Sequence, residues 1–130
     1  MAGYIPAAWA IMRGGGAALA RRGSGTLVQV SGGSARRGMP GRGPWAAAQF
    51  AARALAQSLA QEPRPVGVHV ALLVADGIIR TGRNPMAGRP AGDAMNTGDV
   101  AAAVAYLVSQ RPTAWTHELV ITSAGDTWVP

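Results

Sequence analysis

GTLVQVSGGSARRGMPGRGPWAAAQFAARALAQSLAQE, Gly25 to Glu62, changes its local pattern twice along its length. Residues Gly25 to Ser31 are mostly apolar and β-branched, bounded by glycines, which is the composition of a strand. The segment from Gly32 to Pro44 is too dense in glycine and proline for regular structure. From about Trp45 to Gln61 alanine and leucine dominate, and a helix is expected. Gln49, Arg53 and Gln57 recur at i, i+4 and make one narrow polar stripe along it. Nearly every other position is Ala, Leu or Phe, so this helix should be covered on more than one side. A sheet would cover one side and a partner subunit the other.

The flanking sequence fits around that unit. VGVHVALLVA, Val66 to Ala75, is an almost unbroken apolar run of the kind found in parallel strands buried on both faces. Upstream, YIPAAWAIMRGGGAALARR predicts a helix from about Tyr4 to Arg22. Gly14, Gly15 and Gly16 weaken its middle by about 1 kcal/mol each relative to alanine. Downstream, DGIIRTGRNPMAGRPAGDAMN shows no periodicity and reads as a long loop. TGDVAAAVAYLVSQ is a helix with Thr97 as N-cap and Asp99 favourably placed in its first turn. HELVITSA, His117 to Ala124, supplies a last strand before a tail carrying Trp128 and Pro130. Helix and strand alternate throughout, which argues for an α/β fold: a partial Rossmann-like parallel sheet of about three strands with flanking helices. At 130 residues the chain makes one domain.

Composition removes several function classes. There is no cysteine, hence no disulfide framework or thiolate metal site. Two histidines and six carboxylates, nowhere at ligand spacing, do not make a metal site. The net charge of +6 comes from arginine alone, which excludes lysine Schiff-base chemistry. Arg21-Arg22 and Arg36-Arg37 could contact phosphates, yet aromatic residues are only 5% and no nucleic-acid-binding motif accompanies them. Nucleic acid is therefore not expected as a partner. No apolar run reaches the ~20 residues that span a bilayer, and no secretory signal pattern opens the sequence, so a cytoplasmic setting is expected.

Taken with VGVHVALLVADGIIRTGR, the opening stretch resembles the C-terminal half of a short-chain dehydrogenase/reductase. That family shows a strand ending in Ser-Ser, a loop, and Tyr-x-x-x-Lys opening a helix. A strand and a Pro-Gly-x-x-x-Thr loop over the nicotinamide follow. Here Asp76-Gly77 stands in the Pro-Gly place and Thr81 where the threonine should fall. GDVAAAVAYLVSQRPTAWTHELVI is similar to the family's last helix and strand. The likeness runs from about Gly23 to Ile121 and implies NAD(P) as the cofactor, if any is bound, with Asp76, Gly77, Ile79 and Thr81 beside it.

The departures concern chemistry. The family's first half has no counterpart here, and no G-x-G-x-x-G occurs. The catalytic serine position falls on Gly32, with Ser31 before it; the tyrosine position is Trp45 and the lysine position Gln49. An indole does not ionise usefully, an amide carries no charge to lower a neighbour's pKa, and glycine has no hydroxyl. Conventional hydride transfer, and with it a cofactor, is therefore not expected. Three readings stand. The first is a scaffold that binds or assembles without redox turnover. The second is an enzyme, either a residual NAD(P)-dependent reductase needing a partner chain or a cofactor-independent hydrolase or lyase using Ser31 or Ser34. No G-x-S-x-G surrounds either serine, and Asp76 is an alternative lone base. The third is a gene fragment stabilised by self-association. All three share one physical expectation. The strand at Thr26 to Val30 lacks the neighbour it has in the complete fold, so the chain should form a homodimer or higher oligomer.

Overall fold

The structure, a computed structural model, describes residues 3–85 and 88–127; the tail from Trp128 lies outside them. Helix α1 (Tyr4–Arg22) leads to strand β1 (Gly25–Gly32), helix α2 (Gly43–Gln61) and strand β2 (Val68–Ala75). A two-residue parallel ladder, β3 (Ile79–Arg80) with β4 (Met95–Asn96), precedes helix α3 (Thr97–Val108) and strand β5 (Glu118–Ile121). The main sheet is parallel in the order β1-β2-β5.

The side chains of β2 are buried at every position, as an unbroken apolar run between two helical layers requires. Val68, Val70, Leu72 and Val74 face α1 and α2, joined by Met12, Ala56, Leu59 and Ala60. Ala71 and Leu73 face α3 through Leu107. Two helices thus cover one face of the sheet and one covers the other. On the thinner side Val30, Tyr106 and Val108 stay exposed.

Several boundaries shift for local reasons. Val66 does not open β2; it lies in a 3-10 turn, and Gly67 at φ 83° reverses the chain before Val68. Helix α2 starts at Gly43 rather than Trp45, since Pro44 in its first turn has no backbone N–H to lose there. The N-cap of α3 is Asn96, not Thr97. The 76–96 stretch is not all loop, because Met95 N–H donates to Ile78 O and seats the β3–β4 ladder. The three glycines do not break α1. Gly15 and Gly16 lie where the helix comes closest to its neighbours: a Cβ at Gly15 would sit 3.0 Å from Leu27 Cδ1, and one at Gly16 3.4 Å from Leu59 Cδ1.

The polar stripe of α2 does not run along solvent. Gln49 is buried, and Arg53 reaches across to β5, donating from Nε to Glu118 Oε2 at 3.0 Å and from Nη2 to Oε1 at 2.7 Å. Its Nη1 donates to Ala35 O at 3.1 Å. The side of α2 left open carries Trp45 and Phe50 instead.

Candidate functional site

The parallel register sets Gly32 of β1 opposite Ala75 of β2, so the residues leaving both strands meet at the carboxyl end of the sheet. Gly33 leaves β1 into a 3-10 turn, and Asp76 leaves β2 with its N–H bonded to Ile121 O at 2.8 Å. A cavity of about 320 Å³ opens there, lined in part by Gly32, Gly33, Ser34, Asp76, Gly77 and Ile78. Open α/β sheets hold their ligands at this end.

Two polar contacts organise the region. Ser31 Oγ donates to Gln49 Oε1 at 2.8 Å, joining the strand end to α2. Arg37 grips Asp76 with both arms of its guanidinium, Nη1 to Oδ2 at 2.7 Å and Nη2 to Oδ1 at 2.8 Å. The hydrogen bond from Asp76 is the largest cause holding the Arg37 pKa above its ordinary value; partial burial opposes it, and the charges of Asp76 and Asp126 add to it. Asp76 has a side chain only 4% exposed, whereas that of Arg37 is 30% exposed. Gly33 makes the pair possible, because a Cβ there would overlap the Asp76 carboxylate. Gly77 has φ 147°, and a Cβ on it would stand 2.7 Å from Asp126 Oδ2, so glycine is required on both counts.

Of the residues marked out in the sequence, Gly32, Ser34, Asp76 and Gly77 line this cavity. Gln49 sits behind it, bonded to Ser31. Trp45 is elsewhere: its ring packs against Tyr4 at 5.8 Å between centroids and is half exposed, so it neither fills the cleft nor offers a stacking face within it. Ile79 is taken up in β3, and Ile78 lines the cavity in its place. Thr81 closes a turn, its Oγ1 accepting from Asn84 N–H at 3.0 Å. The sequence gave no weight to Gly33, Arg42 or Asp126, and marked Arg37 only as a phosphate contact. The one signal for Arg37–Asp76 is the strand register, which is not visible before pairing is known.

A serine nucleophile finds no base here. His69 pairs with Thr26 in register, at the opposite end of β1 from Ser34, on the order of 25 Å away at 3.3 Å per residue. His69 is instead structural, its Nε2 donating to Thr116 O at 2.7 Å and its ring stacked on Trp115 at 4.9 Å. Among the described residues no group of three metal-ligating side chains gathers.

The short chain dehydrogenase family profile matches residues 2–90. The chain belongs to that family. A short-chain dehydrogenase from Rhodopseudomonas palustris superposes with a TM-score of 0.68 at 29% identity, over 88% of this chain and 46% of that one. An acetoin dehydrogenase from Enterobacter cloacae gives 0.69 at 21% identity, over 86% and 50%. A gluconate 5-dehydrogenase from Burkholderia cenocepacia, solved with NADP and tartrate, gives 0.65 at 16%, over 80% and 46%. The chain thus spans about half the length of the solved structures it matches. No curated protein matches it. No helix among the described residues is long and apolar enough to cross a membrane.

Fit to a dinucleotide can be judged on this short-chain dehydrogenase scaffold directly. The glycine triplet that might cradle phosphates is inside α1, packed against Leu27 and Leu59. At the nicotinamide end the Arg37–Asp76 pair forms a wall of the cavity, and the lysine position carries a buried amide bonded to Ser31. These residues do not fit the cofactor.

Proposed function

We propose that this chain is a short-chain dehydrogenase scaffold that works without conventional redox chemistry, as a self-associating protein whose cleft has been rebuilt around neutral and paired polar groups. The observation that carries this is Gln49. It is 4% exposed and accepts the Ser31 hydroxyl, so the position that would need a free cation is occupied by a neutral, partnered side chain. Nothing at Gly32, Trp45 or Gln49 can exchange a proton with a substrate oxygen near neutral pH.

Self-association is supported by two open surfaces. β1 is an edge strand over Gly25–Gly32, free of charge and proline, the two devices that ordinarily discourage pairing with another chain. The outer side of α2 exposes Trp45 and Phe50 beside Ile5 and Ile11 of α1. A two-fold dimer through either surface would cover apolar groups that a monomer leaves wet.

Isothermal titration with NADH and NADPH, paired with a turnover assay on a panel of ketones and secondary alcohols, tests the catalytic part. The expected outcome is no saturable heat below millimolar cofactor and no oxidation of added NAD(P)H. Tight binding with turnover overturns it. Sedimentation velocity at micromolar concentration tests the association; a stable monomer refutes it.

A further inference from the structure

We propose that the cavity at the carboxyl end of the sheet is a recognition site for a small molecule bearing a guanidinium or amidinium group, centred on Asp76 and filled in this state by Arg37 of the same chain. The inference rests on reading the cleft as a rebuilt, non-redox site, and it names the class of ligand that site would take.

The two halves of the ion pair are unequal in a way that gives it direction. Asp76 leaves the central strand, its N–H held by Ile121 O and its side chain 4% exposed. It cannot move to water without unseating the end of β2. Arg37 stands in the irregular Gly- and Pro-rich segment before α2, with its side chain 30% exposed. It can swing into solvent and keep its charge hydrated. A buried carboxylate left alone is costly, so a neutral ligand does not displace Arg37. A ligand bringing its own planar cation with two parallel N–H donors replaces the same two bonds, at 2.7 and 2.8 Å, geometry for geometry. Gly33 leaves the floor beside Asp76 Oδ1 bare, since any Cβ there would strike the carboxylate. Asp126 lines the same cavity and adds a second negative charge for a cationic guest. Arg42 also lines it and disfavours guests carrying a second cation close to the first. The space of about 320 Å³ suits a compact molecule rather than a peptide.

The experiment is chemical rescue. Arg37→Ala removes the internal guanidinium and leaves Asp76 unpaired. Methylguanidinium in the low millimolar range, against sodium chloride at equal ionic strength, is expected to raise the melting temperature of this variant saturably. At ten times its half-saturating concentration the rise is about 5 °C. Urea, planar but uncharged, is expected to give no rise, as is methylguanidinium on the double variant R37A with D76N. If R37A does not fold alone, soluble yield on refolding with and without methylguanidinium replaces the melting curve. In the wild-type chain, agmatine should shift the Arg37 Nε–Hε resonance toward that of a solvent-exposed arginine. Absence of rescue, rescue by urea, rescue that persists without the Asp76 charge, or an unmoved Arg37 resonance in 100 mM agmatine overturns the proposal. None of these readouts involves a dinucleotide. Failure here therefore leaves the non-redox reading to its own titration, and failure there is visible without this one.

Discussion

Gly33→Ala adds one methyl group at the point where β1 ends and the Arg37–Asp76 pair begins. The 3-10 backbone at Gly33 is open to alanine, and replacing glycine in a compatible conformation usually gains about 0.4–1 kcal/mol by narrowing the unfolded ensemble. Against that gain, the new Cβ overlaps Asp76 Oδ1 and stands 2.9 Å from its Cγ and 3.2 Å from Arg37 Nη2. Asp76 is short and fixed to the end of β2, so the carboxylate has little room to yield. Breaking a fully buried pair costs about 3–5 kcal/mol; with the Arg37 side chain partly in water, roughly 2–3 kcal/mol applies here. The net is a loss of roughly 2 kcal/mol, or about 5–10 °C in melting temperature for a chain of this size. Gly32→Ala is the internal control. Its φ is −122° and its Cβ would meet only Ala75 O, at 3.7 Å, so it should be neutral or slightly stabilising. Urea denaturation of both variants, read by far-UV circular dichroism, decides the matter. Equal midpoints for the adjacent alanines would refute the claim that Gly33 is bare because of Asp76.

Gln49→Lys, the change that restores the family's lysine, should destabilise by about 2 kcal/mol or more, because it places a cation in a site 4% exposed with only a hydroxyl to meet it. A lysine so placed is neutral more readily when folded than unfolded. The penalty is therefore full at pH 7 and shrinks as pH rises toward the ordinary lysine value of about 10.4, which denaturation at pH 7 and pH 10 checks. Gly14→Ala, with nothing within 4 Å of the added Cβ, should raise stability by about 0.5–1 kcal/mol. Gly15→Ala should gain less or lose, since Leu27 Cδ1 lies 3.0 Å away; thermal melts of the pair compare them. Arg53→Lys should behave more like a loss than a conservative change, about 1–2 kcal/mol by urea denaturation, since one ammonium cannot serve both Glu118 oxygens and Ala35 O together.

The frame of this fold was legible because hydrophobic pattern alone carries it. Val68–Ala75 could be nothing but a strand with both faces covered, and the alternation around it gave a parallel sheet. Element ends were less legible where one residue's backbone decides them, as at Gly67 and Pro44. The β3–β4 ladder was hidden because two-residue pairing has no periodicity. Trp45 was misplaced for a different reason. Position along a helix start fixes where the Cα lies, but the ring's direction follows from what is near it, and here that is Tyr4. The Arg37–Asp76 pair joins residues 39 apart, so only the register Gly32↔Ala75 brings it into view.

The polar groups at the carboxyl end of the sheet bear on why an altered catalytic set does not collapse the site. Burying Gln49 is tolerable because the amide is neutral and its oxygen is met by Ser31; burying Asp76 is tolerable because a guanidinium satisfies both oxygens. Each contact would be costly if half made, and neither contributes to proton transfer. The opposite end of the sheet contains the other buried ionisable side chain of β2, His69, and closes it by stacking on Trp115 and bonding Thr116 O, with no ion pair. Charge has therefore been kept where parallel α/β folds bind their ligands and replaced by packing where they do not. A scaffold drifting without use would have no reason to hold a bare glycine against a buried carboxylate. The simplest physical account of Gly33, Asp76 and the exposed stem of Arg37 together is that this end of the sheet still receives something charged.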